Sequence, residues 1–204
     1  MGYTHYFQRP SKLDEAIFKL FMADCKKIVG YSQTQLGIAI DNDSNDKEVF
    51  FNGSEEQEIG VWTTSESIVL AFPSPMASIQ ETEADPIASK KDGSWFAGDM
   101  VSQRVAPINQ KTGKGSGGYE TFCIPLVREA RDYEIGKKLL FDFCKTSYRP
   151  YDLPVTACLI AFKHHFKEAI KLGTDGEEKD WQDGRILCNN ILGYGLTMEL
   201  FDKE

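Results

Sequence analysis

FCKTSYRPYDLPVTACLIAFKHHF, residues 143–166, carries both the fold and the function of this chain. Its second half predicts a helix. Pro154 suits the first helical turn, Asp152 suits the N-cap, and Gly173 supplies a stop. Val155, Leu159, Phe162, Phe166 and Ile170 recur at helical spacing and give an apolar stripe. Its first half reads as the end of another helix, EIGKKLLFDFCK (134–145), running into a polar loop.

Working outward, residues 11–29 predict a helix with Ser11 as N-cap, Asp14 in the first turn and Gly30 as its stop. LGIAI (36–40) and EVFF (48–51) read as strands around the polar turn DNDSND. VWTT (61–64), SIVLAF (67–72) and YETFCIPL (119–126) have the β-branched and aromatic content of strands, and the N-terminal segment reads as a further strand. WQDGRILCNNILGYG (181–195) predicts a last helix closed by Gly193 and Gly195. Residues from about 73 to 118 read as long irregular loops around short elements near SWFAG and MVSQRV. Strands gathered early and helices gathered late predict a single α+β domain over residues 1–204, a mostly antiparallel sheet with helices packed on one face.

Composition sets the classes of function. Apolar residues are 41 % of the chain and aromatics 12 %, enough for a sizeable core. The longest apolar runs are too short to span a bilayer, and Arg9, Lys12, Asp14 and Glu15 interrupt the region where a signal peptide would lie. Five cysteines (25, 123, 144, 158 and 188) without CxxC spacing favour reduced thiols in a cytoplasm over a disulfide framework or zinc knuckle. A net charge of −8 disfavours nucleic-acid polymers as partners, although a few local cations can still hold a small anion.

Several motifs nearly match known chemistry. Cys144 and Arg149 resemble a cysteine-phosphatase loop, yet that loop needs five intervening residues and this one has four. Pro150 stands where the arginine is required, so a structural thiol is expected at Cys144 and no catalytic residue is assigned. GKGSGG (113–118) satisfies GxGxxG, but runs into a strand instead of a helix. It reads as a loop, or as a basic flap in which Lys111, Lys114 and free amides cover an anionic ligand. DNDSND lacks the glycine and glutamate of a calcium loop and reads as a hairpin turn. His164 and His165 are adjacent on a helix and cannot grip one metal together, so no metal or cofactor is expected.

What remains is a set of residue types. Lys145, Thr146, Ser147 and Arg149 offer donors for phosphate oxygens, and Tyr148 and Tyr151 offer faces for a base. Asp152 is a candidate acceptor for a ribose hydroxyl or base amine. His5, Tyr6, Asn52, Lys114, Tyr119, Glu120 and Thr121 complete the candidate ligand-binding set. MGYTHYF, FNG (51–53), GYETFCIP (118–125), FCKT with PYD (143–152) and TDG before a tryptophan (174–181) carry a resemblance. The chain resembles a family of uncharacterised phage, prophage and bacterial proteins. That resemblance implies a context, a phage-type accessory protein acting against host defence in the bacterial cytoplasm, and no activity. The reading expected from context and residue types together is a sponge that sequesters a nucleotide or cyclic nucleotide immune signal without chemistry. The alternatives are an enzyme hydrolysing a nucleotide or phosphoester, with His5, Glu120 or Asp152 as acid or base, and an acidic inhibitor of a host protein. A homo-oligomer is compatible with each.

Overall fold

The computed structural model describes residues 3–60, 62–63, 65–73 and 101–202. The elements in chain order are β1 (Thr4–Arg9), α1 (Glu15–Thr34), β2 (Ile40–Asn42), β3 (Glu48–Gly53), β4 (Trp62–Thr63), β5 (Ser67–Pro73) and β6 (Val101–Pro107). They continue with β7 (Phe122–Pro125), β8 (Leu140–Lys145), α2 (Asp152–Phe166), β9 (Lys171–Thr174) and α3 (Gln182–Leu192). The class is α+β, and the described strand pairs are antiparallel. The strands divide into three three-stranded sheets, β8-β1-β9, β2-β3-β7 and β4-β5-β6.

The helix expected to start at Pro154 is α2, and it is buried on every side from Asp152 to Lys163. A helix that is apolar all round must be enclosed on every face. Here α1, α3 and β9 enclose it. An aromatic path joins the layers: Phe51 to Phe122 (5.2 Å between ring centres), Phe122 to Phe7 (6.3 Å), Phe7 to Phe162 (6.3 Å) and Phe162 to Phe21 (5.1 Å). These rings come from β3, β7, β1, α2 and α1, so one core serves two sheets and two helices. The buried Arg9 guanidinium ties the end of β1 to the end of β7, donating to the carbonyls of Pro125 and Leu126.

Several boundaries differ from the sequence expectation. Asp14, and not Ser11, caps α1, its carboxylate accepting from the Ile17 amide at 2.9 Å. Gly30 does not stop α1, which continues to Thr34. LGIAI is mostly not strand, because Ile38 N donates to Ser32 O and Ala39 N to the Gln57 side chain. The helix expected over 134–145 is a strand, β8, preceded by a short 3-10 turn at Asp132–Glu134. Glu134 decides this. Its carboxylate accepts from the Arg128 guanidinium and from the amides of Arg131 and Phe141, folding the chain back on itself. Gly136 supplies the left-handed residue (φ 82°) within that turn.

DNDSND is the β2–β3 hairpin connection, and VSQRV (101–105) falls on β6; SWFAG and Met100 lie outside the described residues. The last helix ends at Gly193 in the left-handed conformation (φ 78°). No helix among the described residues is long and apolar enough to cross a membrane.

Helices α2 and α3 meet closely where Gly184 faces Thr156. A Cβ at Gly184 would stand 2.5 Å from Thr156 Oγ1 and 2.9 Å from its Cβ. Gly184→Ala is therefore expected to destabilise the fold by about 1–3 kcal/mol through overpacking. Urea unfolding would show a lowered midpoint with an unchanged m-value.

Candidate functional site

β1 is the central strand of its sheet, and alternation sends His5, Phe7 and Arg9 inward and Tyr6 outward. Its neighbour β8 ends at Lys145, opposite Thr4. The chain must then reverse into α2 within a few residues. Ser147 and Tyr148 achieve this with consecutive left-handed backbones (φ 51° and 55°). The amides of Thr146 and Ser147 both donate to Tyr3 O, at 2.9 and 3.0 Å. Arg149 N then closes onto Thr146 O at 3.0 Å and Asp152 N onto Arg149 O at 2.9 Å. The result aims Asp152, the first residue of α2, at the inner face of β1.

Asp152 is fully buried and accepts three side-chain bonds. His5 Nε2 lies 2.7 Å and Thr146 Oγ1 2.5 Å from Oδ1, while Arg104 Nε lies 2.9 Å from Oδ2. Arg104, on β6, also faces Asp183 of α3 at 3.5 Å. Burial pushes the Asp152 carboxyl up, but Arg104 and His5 outweigh it and hold it below the ordinary carboxylate range. The N-terminal end of α2 favours the same charge. A carboxylate only accepts, so His5 Nε2 carries the proton in this bond. Burial pulls Arg104 down, yet Asp152 and Asp183 leave it raised overall, a permanent cation. Three rings close over this network. Tyr3 meets His5 edge-on at 4.7 Å, His5 meets Trp181 edge-on at 5.0 Å, and Tyr148 stacks on Tyr3 at 4.0 Å.

The candidate residues fall into groups. His5, Thr146 and Asp152 come together in the buried network. Asn52, Tyr119 and Thr121 meet in a second group, Asn52 bonding the Tyr119 backbone in both directions at 3.3 Å. Lys145 joins them, its ammonium 5.2 Å from the centre of the exposed Tyr119 ring. Glu120 is used internally, its carboxylate accepting from Lys145 N at 2.8 Å. Tyr151 does not present a face to a base. It is buried, and its hydroxyl donates to Glu120 O at 2.6 Å. Arg149 is half-buried and spends Nη1 on Ser116 O at 2.7 Å. Tyr6 lies on the other side of β1, bonded to Asp175 at 2.5 Å. Asp152 does not cap α2; its carboxylate is committed to the network.

GKGSGG packs as a loop whose amides are bonded within the chain. Lys114 is paired with Glu56 and Glu58, at 3.2 and 3.0 Å. The amides of Gly115, Ser116 and Gly117 bond Gln57, Pro107 and Ser54. The glycines serve close packing, since a Cβ on Gly118 would collide with Gly53 O. Cys144 is a buried thiol whose pKa burial pushes far up, and its Sγ contacts Glu120 O at 3.4 Å. His165 bonds Asp24 at 2.8 Å and His164 stacks on Tyr194 at 3.6 Å, both as packing of α2. Among the described residues no group of three or more His, Cys, Asp or Glu is placed to hold a metal ion.

Arg104, Asp183, Tyr3 and Trp181 were not among the candidates. Arg104 hid in a stretch read as irregular, although an arginine at an inward position of VSQRVAP is a signal that a buried acid awaits it. The described cavities lie elsewhere, the most enclosed (about 310 Å³) between α1 and the β2–β3 hairpin.

Asp152→Ala is expected to cost about 3–5 kcal/mol, because it strands a buried cation. Asp152→Asn tests the charge alone. A carboxyl held below its unfolded value, about 3.9, contributes stability that is complete above that pH and lost as pH falls through the lower native value. Urea midpoints of the native chain should therefore fall with acid below about pH 4, and those of Asp152→Asn should fall less steeply. Comparison of the chain with protein-family models, with curated proteins and with solved structures returns no match, and the functional reading stands on residues and geometry.

Proposed function

We propose that this chain is a binding protein that sequesters a small phosphate-bearing ligand, a nucleotide or cyclic nucleotide signal, without transforming it. The observation that carries the reading is the Lys145 ammonium over the Tyr119 ring. Lys145 makes no ion pair among the described residues, unlike Lys114, and stands beside the exposed face of Tyr119. A cation without a carboxylate, in a chain of net charge −8, is suited to a phosphate and a ring. The exposed Tyr148 and the half-buried Arg149 follow three and four residues further on, in the same turn. The family resemblance supplies the setting, a phage accessory protein that removes a host defence signal.

An enzyme reading would rest on the His5–Asp152 pair. Both side chains are fully buried and share one network with Arg104, which suits holding the N-terminus of α2 in place. A general base must instead reach substrate or water.

Thermal-shift screening against cyclic dinucleotides and ADP-ribose derivatives is expected to find a stabilising ligand that heating releases intact. Lys145→Ala should weaken it by about tenfold, the worth of one charge-assisted bond. No shift with any of these ligands, on folded protein, refutes the proposal; recovery of cleaved ligand favours the enzyme.

A further inference from the structure

The buried network is complete around Asp152 and incomplete above it. His5 Nδ1 and Trp181 Nε1 are buried and make no hydrogen bond among the described residues, and the buried Tyr3 Oη, near the Thr174 side chain, makes none of good geometry. Their side chains are at most 1 % exposed, and their rings touch one another, Tyr3 on His5 and His5 on Trp181. Buried polar atoms are nearly always paired, so three orphans on mutually touching rings mark a place where a partner belongs. The set is chemically mixed. The indole N–H donates, the phenol donates or accepts, and His5 Nδ1 accepts while Nε2–H is turned to Asp152.

The cover of this cluster differs from its floor. Tyr148 lies flat on Tyr3, with ring centres 4.0 Å apart and planes 10° from parallel, and is itself 39 % exposed. It rides on the left-handed Ser147–Tyr148 backbone, and the Arg104 guanidinium stands 5.8 Å from its ring. On another side the wall beside Tyr3 is bare backbone. A Cβ at Gly176 would come within 2.5 Å of Tyr3 Cε2. The Tyr3 face is thus shaped to carry a second flat ring, and the chain's own tyrosine occupies it.

We propose that the Tyr3–His5–Trp181 cluster is a subsite for a nucleobase, and that Tyr148 is an internal placeholder which the base displaces from Tyr3. The proposal rests on the phosphate-ligand reading above and deepens it by naming where the heteroaromatic part of that ligand goes. A base edge carries both donors and acceptors, the two kinds of group that the three orphan atoms together call for, and its face takes over the stack that Tyr148 gives up. Lys145 and Arg149 flank Tyr148 in sequence and are the cations that would meet a phosphate attached to the base through a sugar.

Calorimetry with AMP, GMP, adenosine, guanosine and inorganic phosphate tests it on the full chain, together with the indole resonance of Trp181, assigned with Trp181→Phe. Removing the competing ring in Tyr148→Ala should tighten AMP or GMP two- to tenfold, and the Trp181 N–H should shift on binding. Tyr3→Phe, which keeps the stack and removes only the hydroxyl, should weaken the same ligand three- to tenfold without changing the affinity for phosphate. Nucleotide binding that Tyr148→Ala leaves unchanged or weakens, with the indole unmoved, overturns the subsite and leaves the phosphate reading standing. Adenosine or guanosine binding that moves the indole, with Lys145→Ala without effect on AMP, keeps the subsite and overturns the phosphate reading. Absence of binding by all five probes to folded Tyr148→Ala, or a crystal structure with AMP in which only water bridges the three atoms, overturns the subsite.

Discussion

A single carboxylate organises this protein. Asp152 sits without solvent at the start of the central helix, where an unpaired charge would be prohibitive, and every element it draws on is fixed by satisfying it. His5 brings β1, Thr146 brings the turn after β8, and Arg104 brings β6 and with it the third sheet. Arg104 then reaches Asp183 at the start of α3. The aromatic core supplies most of the cohesion, being non-directional. The ionic network supplies the geometry, because each donor accepts only a narrow range of positions.

The parts of the fold that local chemistry determines were legible in the sequence. The Pro154 helix, the β2–β3 hairpin, the strand character of β3, β5 and β7, and the closing glycine of α3 all follow from residues near one another. Failures came where distant residues overruled local pattern. EIGKKLLFDFCK has helical periodicity, but Glu134 gains more from Arg128 and two backbone amides than a helix would return. Gly30 looks like a stop, yet α1 runs past it to Thr34 with Ser32 buried.

The site was half legible for the same reason. The turn 145–152 stood out by composition, and in the structure Asp152 of that turn bonds His5 of β1. Composition could not say which residues face outward. Tyr151, Thr146 and Asp152 are spent on holding the turn, while Lys145, Tyr148 and Tyr119 remain at the surface. Arg104 and Asp183 needed knowledge of a partner 48 residues away and of a third helix, which no spacing rule encodes.

The placement of β1 between β8 and β9 bears on synthesis. His5 pairs with Cys144 on one side and Thr174 on the other, so β1, which precedes every other described strand in the chain, waits for two of the latest to enclose it. At roughly 5–20 residues per second, the nascent strand waits on the order of ten seconds for β8 to be translated. Over that interval Tyr3, Phe7 and the His5 imidazole have none of these partners, and their alternating pattern is open to any free strand edge. The tail of the chain thereby controls when its head becomes safe from misassembly, and the closing of a loop this long belongs to a late event in folding.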